Sequence, residues 1–439
     1  MGSKFLYNLF LALYSFGIRL VSAWNPKARK WVQGRRDIFA TINAQLETDD
    51  GQRTTGDGQT IWMHCASLGE FEQGRPLLEE LKNNASTGSV SKVKVVLSFF
   101  SPSGYEVMKD YKGADHVFYL PMDSPQNAKR FLDAVNPSLV LWVKYEYWFY
   151  YLAEIKKRNI PAILISGIFR QSQPFFKWYG SIWKKMLESF THFFVQNEES
   201  KALLSAIGIT QNVSINGDTR FDRVLEIADH FTEVPHIAAF CGNSPVIVAG
   251  STWEEDEIEL LHFVNVHANI KFIIAPHEID KANLKDVKEE FPRSIFYSEL
   301  ESGQRTTDNG QPIAANVLII DNIGMLSRLY KYATVAYVGG GYGADGVHNV
   351  LEAAVYGKPV VFGPVYEKFA EAIGLVNAGG ALSIDGGPVK LETIFNRLLD
   401  DETERNERGE AAKQFVLENA GASKKIIQFI QEKRLLTNW

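Results

Sequence analysis

Residues 335–364 read VAYVGGGYGADGVHNVLEAAVYGKPVVFGP. Val335 to Val338 is an apolar run, the pattern of a buried strand. Glycines follow at 339, 340, 341, 343 and 346, so the backbone can turn sharply and a ligand can approach it closely. His348-Asn349 leads into a predicted helix, Val350 to Tyr356, with Gly357 as its C-cap. Val360-Val361-Phe362 then opens a second strand. The amino end of such a helix favours anions, because free N–H groups and the helix dipole point there.

Three readings share this stretch. Gly341-Tyr342-Gly343-Ala344-Asp345-Gly346 matches G-x-G-x-x-G between a strand and a helix, in form a dinucleotide fingerprint. That fingerprint belongs to the first βα unit of its domain, with an acidic residue closing the next strand. Here the next strand ends in Gly363-Pro364 and the loop comes late in its domain. The second reading is a nucleotide-sugar site, with His348 and the helix end on a phosphate or sugar and Glu352 on a ribose hydroxyl. In the third, the glycines only make a tight turn and Glu352 is a solvated helix residue.

Upstream, the same alternation fills the chain from about residue 60. Thr60–Cys65, Lys94–Phe99, His116–Tyr119, Leu139–Val143, Ala162–Ile165, Phe193–Val195 and Val213–Ile215 are apolar or β-branched runs separated by helical patterns. That predicts a parallel α/β domain covered on both faces. A polar stretch, Gly217 to Ser244, should carry the linker. Alternation restarts with Val246–Ala249, Lys271–Ala275, Ile295–Tyr297 and Val317–Ile320, predicting a second Rossmann-like domain. Glu402 to Glu432 reads as helices without a further strand. The polar segments 51–59 and 303–311 echo one another and are expected to be similar turns, not a duplication.

A chain of 439 residues exceeds one ordinary core, so two domains are expected. The formal net charge is −6, yet residues 1–36 hold seven cations and no acid. Removing those seven leaves −13 for the remainder, which makes nucleic acid an unlikely partner. Cys65 and Cys241 give neither a disulfide framework nor metal spacing. Phe5 to Ile18 is apolar but short of the roughly 20 residues of a clean span. Lys4, Asn8, Ser15, Arg19 and Ser22 form one polar stripe, predicting a helix lying in the membrane interface with the following domain cytoplasmic.

Two Rossmann-like domains facing a cleft predict a ligand bridging it. The first strand of each domain ends in a comparable loop, His64 to Glu70 and Ala249 to Glu254. Ser67-x-x-Glu70 and Ser251-x-x-Glu254 both have the form of a capping box. Glu70 also stands at the carboxyl end of a first strand, where a carboxylate could take a proton from an attacking hydroxyl. A helix amino end lowers its pKa, so a base there needs a partly desolvated pocket. Ser251 and Thr252 fit a phosphate seat.

Nearly end to end, these residues resemble the bacterial Kdo transferases, which move 3-deoxy-D-manno-octulosonic acid (Kdo) from CMP-Kdo onto the lipid A precursor. Ala66-Ser67-Leu68-Gly69-Glu70 is similar to the family's S-V-G-E, and Glu146-Tyr147-Trp148 stands where the family has E-L-W. Ser101-Pro102-Ser103-Gly104, Tyr119 to Asp123, Gly217 to Asp222 and Ala249 to Thr252 follow in order and spacing. His348-Asn349-Val350-Leu351-Glu352 is similar to H-N-P-L-E. The resemblance implies a GT-B fold, α/β with two Rossmann-like domains and an N-terminal membrane-associated helix. Its expected boundaries are 1–36, 37–218 and 219–439.

It further implies an inverting transfer with no metal and no cofactor, and Glu70 as general base. Ser251, Thr252, His277, Gly340, Gly341, His348, Asn349 and Glu352 fall on the CMP-Kdo side. Ser67, Gly69, Ser101, Glu146 and Arg220 fall on the acceptor or Kdo side. The implied partners are CMP-Kdo, an acylated lipid A precursor and the inner membrane's cytoplasmic face. The chain departs from the family at Lys144, where an acid is common, and at Arg220, which replaces a lysine. Ser166-Gly167-Ile168 replaces N-A-R, with Arg170 nearby, and Pro276-His277 lacks a preceding arginine. Alternative readings are a GT-B enzyme using a UDP-sugar on a lipid acceptor, a nucleotide-sugar epimerase, and an inactive nucleotide-sugar binder.

Overall fold

The computed structural model describes residues 2–47, 59–87, 93–303 and 315–436. Apart from Gln59 and Gly303, the two echoing polar segments lie outside the described residues. The chain divides into two compact units, Met1–Arg223 with Gly421–Trp439, and Val224–Ala420.

Among its described residues the first unit holds seven strands: β1 (Thr60–Cys65), β2 (Lys94–Phe99), β3 (His116–Tyr119), β4 (Leu139–Val143), β5 (Ala162–Gly167), β6 (His192–Val195) and β7 (Val213–Ile215). They pair in parallel in the order β3-β2-β1-β4-β5-β6-β7. Alternate residues of β1 face opposite layers. Ile61, Met63 and Cys65 join one buried cluster, and Trp62 joins the other. Both faces are covered, which is why such strands read as unbroken apolar runs.

The described residues of the second unit also form seven strands: β8 (Val246–Thr252), β9 (Lys271–Pro276), β10 (Ser294–Phe296), β11 (Val317–Ile319), β12 (Val335–Val338), β13 (Val360–Phe362) and β14 (Ala381–Ser383). Their order is β10-β11-β9-β8-β12-β13-β14, again parallel. β14 has no counterpart in the sequence reading, because three residues, one of them serine, carry no recognisable period.

Two segments differ from expectation. The unit boundary falls inside helix Arg220–Asp229, so the stretch expected to be a linker is partly helical. The closing helix Ala422–Glu432 was expected in the second domain but groups with the first unit. Its Ile426, Ile427 and Ile430 pack in the same cluster as Ile61 and Met63 of β1. Asp222 accepts from the Ser423 N–H at 2.6 Å, and Asn216 Nδ2 donates to the Ala422 carbonyl at 2.8 Å.

The first helix, Gly2–Val21, is docked on the first unit. Tyr7 and Leu11 are buried in its core. The Tyr7 hydroxyl donates to Asp123 Oδ2 at 2.6 Å, and the Tyr150 hydroxyl donates to Asn8 at 2.7 Å. Lys4 lies over the Phe149 and Tyr150 rings. The amino half of the predicted polar stripe therefore meets protein. The outward face is apolar: Phe5, Leu6, Phe10, Leu13, Phe16 and Leu20 are each more than half exposed.

Candidate functional site

In an open parallel sheet, ligands collect beyond the carboxyl ends of the strands where the chain reverses direction across the sheet. In the first unit that place is β1 beside β4. β1 delivers Ser67 to Glu70, and β4 delivers Lys144 to Glu146. Glu70 sits in the first turn of helix Leu68–Thr87 and is 7% exposed. Its Oε2 accepts from the Ala66 N–H, and its Oε1 from the Tyr145 N–H at 3.4 Å. The carboxylate thus ties the two strand ends together, so it has a capping role as well as a place at the reversal point of the sheet.

Burial raises the pKa of Glu70 above the ordinary carboxylate value, against the pull of the Ala66 and Tyr145 N–H groups and of Lys144. Desolvation outweighs the helix end, as a base at this position requires. Glu146 is pushed to about 8, first by burial and then by the charge on Glu70. Its Oε2 is buried and has no hydrogen-bond partner among the described residues. Near neutral pH Glu146 is therefore mainly protonated.

Beside these carboxylates lies a cationic pair on a buried acid. Lys144, at φ +50°, brings Nζ to 3.9 Å from Asp218 Oδ2. Asp218 also takes Arg220 at 2.9 Å and Gln196 at 2.8 Å. Burial alone would raise Asp218, but Arg220 and Lys144 hold it below the usual carboxylate range. Arg220 is thus tied to Asp218. Lys144, the departure from the family pattern, faces Glu70 electrostatically. Ser166, in another departure, takes φ +52° and shares a 2.9 Å hydrogen bond with Thr219.

Of the remaining predicted residues, Ser67 is half-buried and Gly69 exposed. Nothing lies within 4 Å of a Cβ added at Gly69. Ser101 caps the short helix Pro102–Met108 and hydrogen-bonds the Ala66 carbonyl through its N–H at 2.7 Å. Arg170 is exposed, and its backbone N–H donates to Gln173 Oε1 at 3.0 Å.

Glu146 offers a pH test. A folded-state pKa near 8 against an ordinary 4.5 means that ionising Glu146 costs more in the native chain than in the unfolded one. This stability is complete below the unfolded pKa and is lost as pH rises through that window toward about 8. Glu146→Gln cannot ionise. Its melting temperature relative to wild type should climb between pH 4.5 and about 8 and then level off. A pH-independent difference in thermal melts would remove Glu146 from this account.

In the second unit, β8 lies beside β12 and β9. Their carboxyl ends bring three rings together. Trp253 stacks on His277 with centroids 4.5 Å apart, and His277 stacks on His348 at 4.5 Å. Trp253 Nε1 donates to His348 Nε2 at 2.9 Å. Since an indole N–H only donates, the His348 proton is on Nδ1. Burial, and then His277, lowers the His348 pKa to about 4, so this ring is neutral near pH 7.

From the sequence, Trp253 is only one residue of the Ala249 to Glu254 loop. The capping carboxylate is also not Glu254. Asp256, fully buried, accepts from the Trp253 N–H at 3.0 Å, the Gly340 N–H at 2.7 Å and the Tyr337 hydroxyl at 2.7 Å. No periodic signal marks such contacts, which join residues 81 and 84 positions apart.

Several donor-side expectations change accordingly. Gly340 does not offer its N–H outward, because Asp256 takes it. Its φ of +87° and its approach to His348 leave no room for a side chain: a Cβ there would meet Gly346 O at 2.5 Å and His348 Cδ2 at 2.7 Å. Gly341 packs on the Gly363 backbone. Thr252 is 1% exposed and donates its hydroxyl to Glu257 at 2.7 Å, so it is an internal strut; Ser251, at φ +53°, is half-buried.

The helix expected over Val350–Tyr356 is one turn, Leu351–Ala354, too short for a substantial macrodipole. Asn349 Nδ2 donates to Glu352 at 3.0 Å, and Glu352 is half-buried. The N–H groups of Gly343 and Gly346 bond within the loop, and that of Val347 donates to the Val365 carbonyl. That leaves little of a dinucleotide cradle. Among the described residues, no three His, Cys, Asp or Glu side chains are grouped to hold a metal ion.

Residues 38–223 match the family model of 3-deoxy-D-manno-octulosonic-acid transferase (kdotransferase). Over 435 residues the chain is 26% identical to a 3-deoxy-D-manno-octulosonic acid transferase of Haemophilus influenzae, covering 94% of each. It is 26% identical to that of Bordetella pertussis, covering 96% of this chain and 98% of the other. A bifunctional glycosyltransferase/methyltransferase of Fusobacterium nucleatum is 31% identical over 73% of this chain; the chain spans about half of it, 49%.

Among solved structures, a UDP-GlcNAc 2-epimerase from Neisseria meningitidis superposes with TM-score 0.58 at 18% identity, over 85% of this chain and all of the other. A glycosyltransferase from Rickettsia africae gives 0.53 at 15% identity, over 88% and 100%. These likenesses show the GT-B-like fold alone, which transferases and epimerases share. The sequence relatives carry the more specific likeness: the chain is a glycosyltransferase, similar over most of its length to the Kdo transferases.

Proposed function

We propose that this chain moves Kdo from CMP-Kdo to an acylated lipid A precursor with inversion at the anomeric carbon. The observation that carries the proposal is Glu70, a buried carboxylate of raised pKa at the reversal point of the first sheet. In this reading Glu70 takes the proton of the acceptor hydroxyl as its oxygen bonds to the anomeric carbon. The bond from that carbon to the CMP phosphate breaks on the opposite face, and CMP leaves with the electron pair. Kdo's own carboxylate stands in for a second phosphate, so the reading invokes no divalent ion.

The donor side is assigned to Trp253, His277 and His348, with Ser251, Asn349 and Glu352 around them; Glu146 and Arg220 belong to the Kdo or acceptor side. The test is the purified full chain with CMP-Kdo generated in situ and lipid A precursor, products read by mass. Turnover of a UDP-sugar in place of CMP-Kdo, or epimerised nucleotide sugar without acceptor, would replace this reading with one of its rivals.

A lipid acceptor requires access to a bilayer, and we assign that contact to helix Gly2–Val21 on the cytoplasmic leaflet. Residues Lys4–Val21 have mean hydropathy 1.2, and only 11% of that stretch is buried. Trp178, 96% exposed, and Tyr179 lie just before helix Ser181–Leu187, which packs against the first helix. Deleting the helix would also strip Tyr7 and Leu11 from the core, so surface substitution is the cleaner probe. Leu13→Glu with Phe16→Glu is expected to shift the protein from sedimenting vesicles to the supernatant, with its melting temperature kept. Unchanged sedimentation would place attachment elsewhere.

A further inference from the structure

A cavity of about 770 Å³ opens in the first unit, walled by the carboxyl half of helix Gly2–Val21, residues 31–40 and the segment after β3. Four arginines line it, Arg19, Arg35, Arg36 and Arg130, against one carboxylate, Asp37. Arg35 is built into the wall. It donates to the carbonyls of Leu120, Trp31 and Phe100 at 3.0, 3.3 and 2.7 Å, and stacks on the Trp31 ring. The other three are exposed, and among the described residues none has a carboxylate within 4.0 Å.

Like charges gathered on one concave surface repel one another unless an anion is shared between them. Guanidinium forks match phosphate oxygens two at a time. The cavity is larger than a single phosphate needs and has the size of a small-molecule pocket. Arg130 is braced over the Phe39 ring at 3.9 Å, which holds one fork in place.

What lies beside the cavity indicates the rest of the ligand. Ser15 and Arg19 face it from one side of the first helix. The next residue after each, Phe16 and Leu20, turns outward and is 68% and 58% exposed. A molecule with its phosphate on the arginines would have an apolar surface alongside for its chains.

We propose that this cavity binds the phosphate-bearing head group of a lipid, with Arg19, Arg36 and Arg130 on the phosphate and the acyl chains along the outward face of helix Gly2–Val21. The site adds a ligand class and a location to the lipid-acceptor reading, but it can be measured without any transfer.

The probe is dihexanoyl phosphatidic acid below its micellar concentration, titrated calorimetrically into the full chain with no donor present. Saturable one-to-one binding is expected. Arg36→Ala with Arg130→Ala should weaken it about tenfold or more, as expected when charge-assisted contacts are lost. Lys27→Ala with Lys30→Ala removes the same charge outside the cavity and should change affinity less than about twofold, as for diffuse exposed charges. Arg36→Lys with Arg130→Lys keeps the charge without the fork and should fall between them, which covers the case of a poorly folded alanine pair.

Equal losses from the lysine and arginine pairs would reduce the site to general surface charge. Inorganic phosphate binding as tightly as the lipid would make it a free-anion site. Absence of saturable binding would remove it. None of these outcomes bears on transfer, whose failure shows in the CMP-Kdo assay instead.

Discussion

Glu70→Gln is expected to lower the rate of transfer about 10²–10⁴-fold, the usual loss on removing a general base, with CMP affinity unchanged. Glutamine is nearly isosteric but has one acceptor oxygen where glutamate has two. It can take either the Ala66 N–H or the Tyr145 N–H, and its own amide then confronts the other. A stability loss of about 1 kcal/mol should accompany the rate loss, as for a weakened helix cap. The two effects separate the roles. A variant that melts earlier but turns over at the wild-type rate would make Glu70 a cap residue only. The rate of the wild-type enzyme should also fall with pH through a value above the ordinary carboxylate range, because burial raises Glu70.

The second large effect is expected at His348. Its Nε2 is the acceptor for Trp253 Nε1, and its ring stacks on His277. His348→Ala would leave the half-buried Trp253 N–H without its partner and let the row of rings loosen. CMP affinity should fall about tenfold, the scale of one lost hydrogen bond with its packing, while affinity for the acceptor is unchanged. Trp253→Phe keeps the stack and loses the hydrogen bond, so its effect should be smaller. Glu352→Ala should also weaken CMP, through a different contact. Calorimetry with CMP decides: unchanged affinity in the His348 and Glu352 variants would remove this loop from the donor side. NAD binding in the same cell would reinstate the dinucleotide reading of Gly341–Gly346.

Much of the fold was legible because parallel strands covered on both faces are continuous apolar runs. Thr60–Cys65, Lys94–Phe99 and Leu139–Val143 have the same ends in sequence and structure. β14 was not legible, since Ala381-Leu382-Ser383 has no pattern, and the turn Leu351–Ala354 was read as a longer helix from composition. Glu70 could be singled out from its position after a first strand. The direction of its pKa could not, because that depends on burial against a helix end. Trp253 on His348 spans 95 residues and Asp256 on Gly340 spans 84, distances at which periodicity is silent.

The closing helix has a consequence for the order of synthesis. The segment 421–436 leaves the ribosome only after all of the second unit, yet it completes the first unit. Until then, β1 and its neighbours lack the cover of Ile426, Ile427 and Ile430, each worth about 1.5–3 kcal/mol when fully buried. The second unit can therefore mature while the first still lacks part of the apolar cluster on that side of its sheet, and exposed apolar surface is what makes nascent chains aggregate. A nascent chain stalled at residue 420 should be the form that chaperones hold longest.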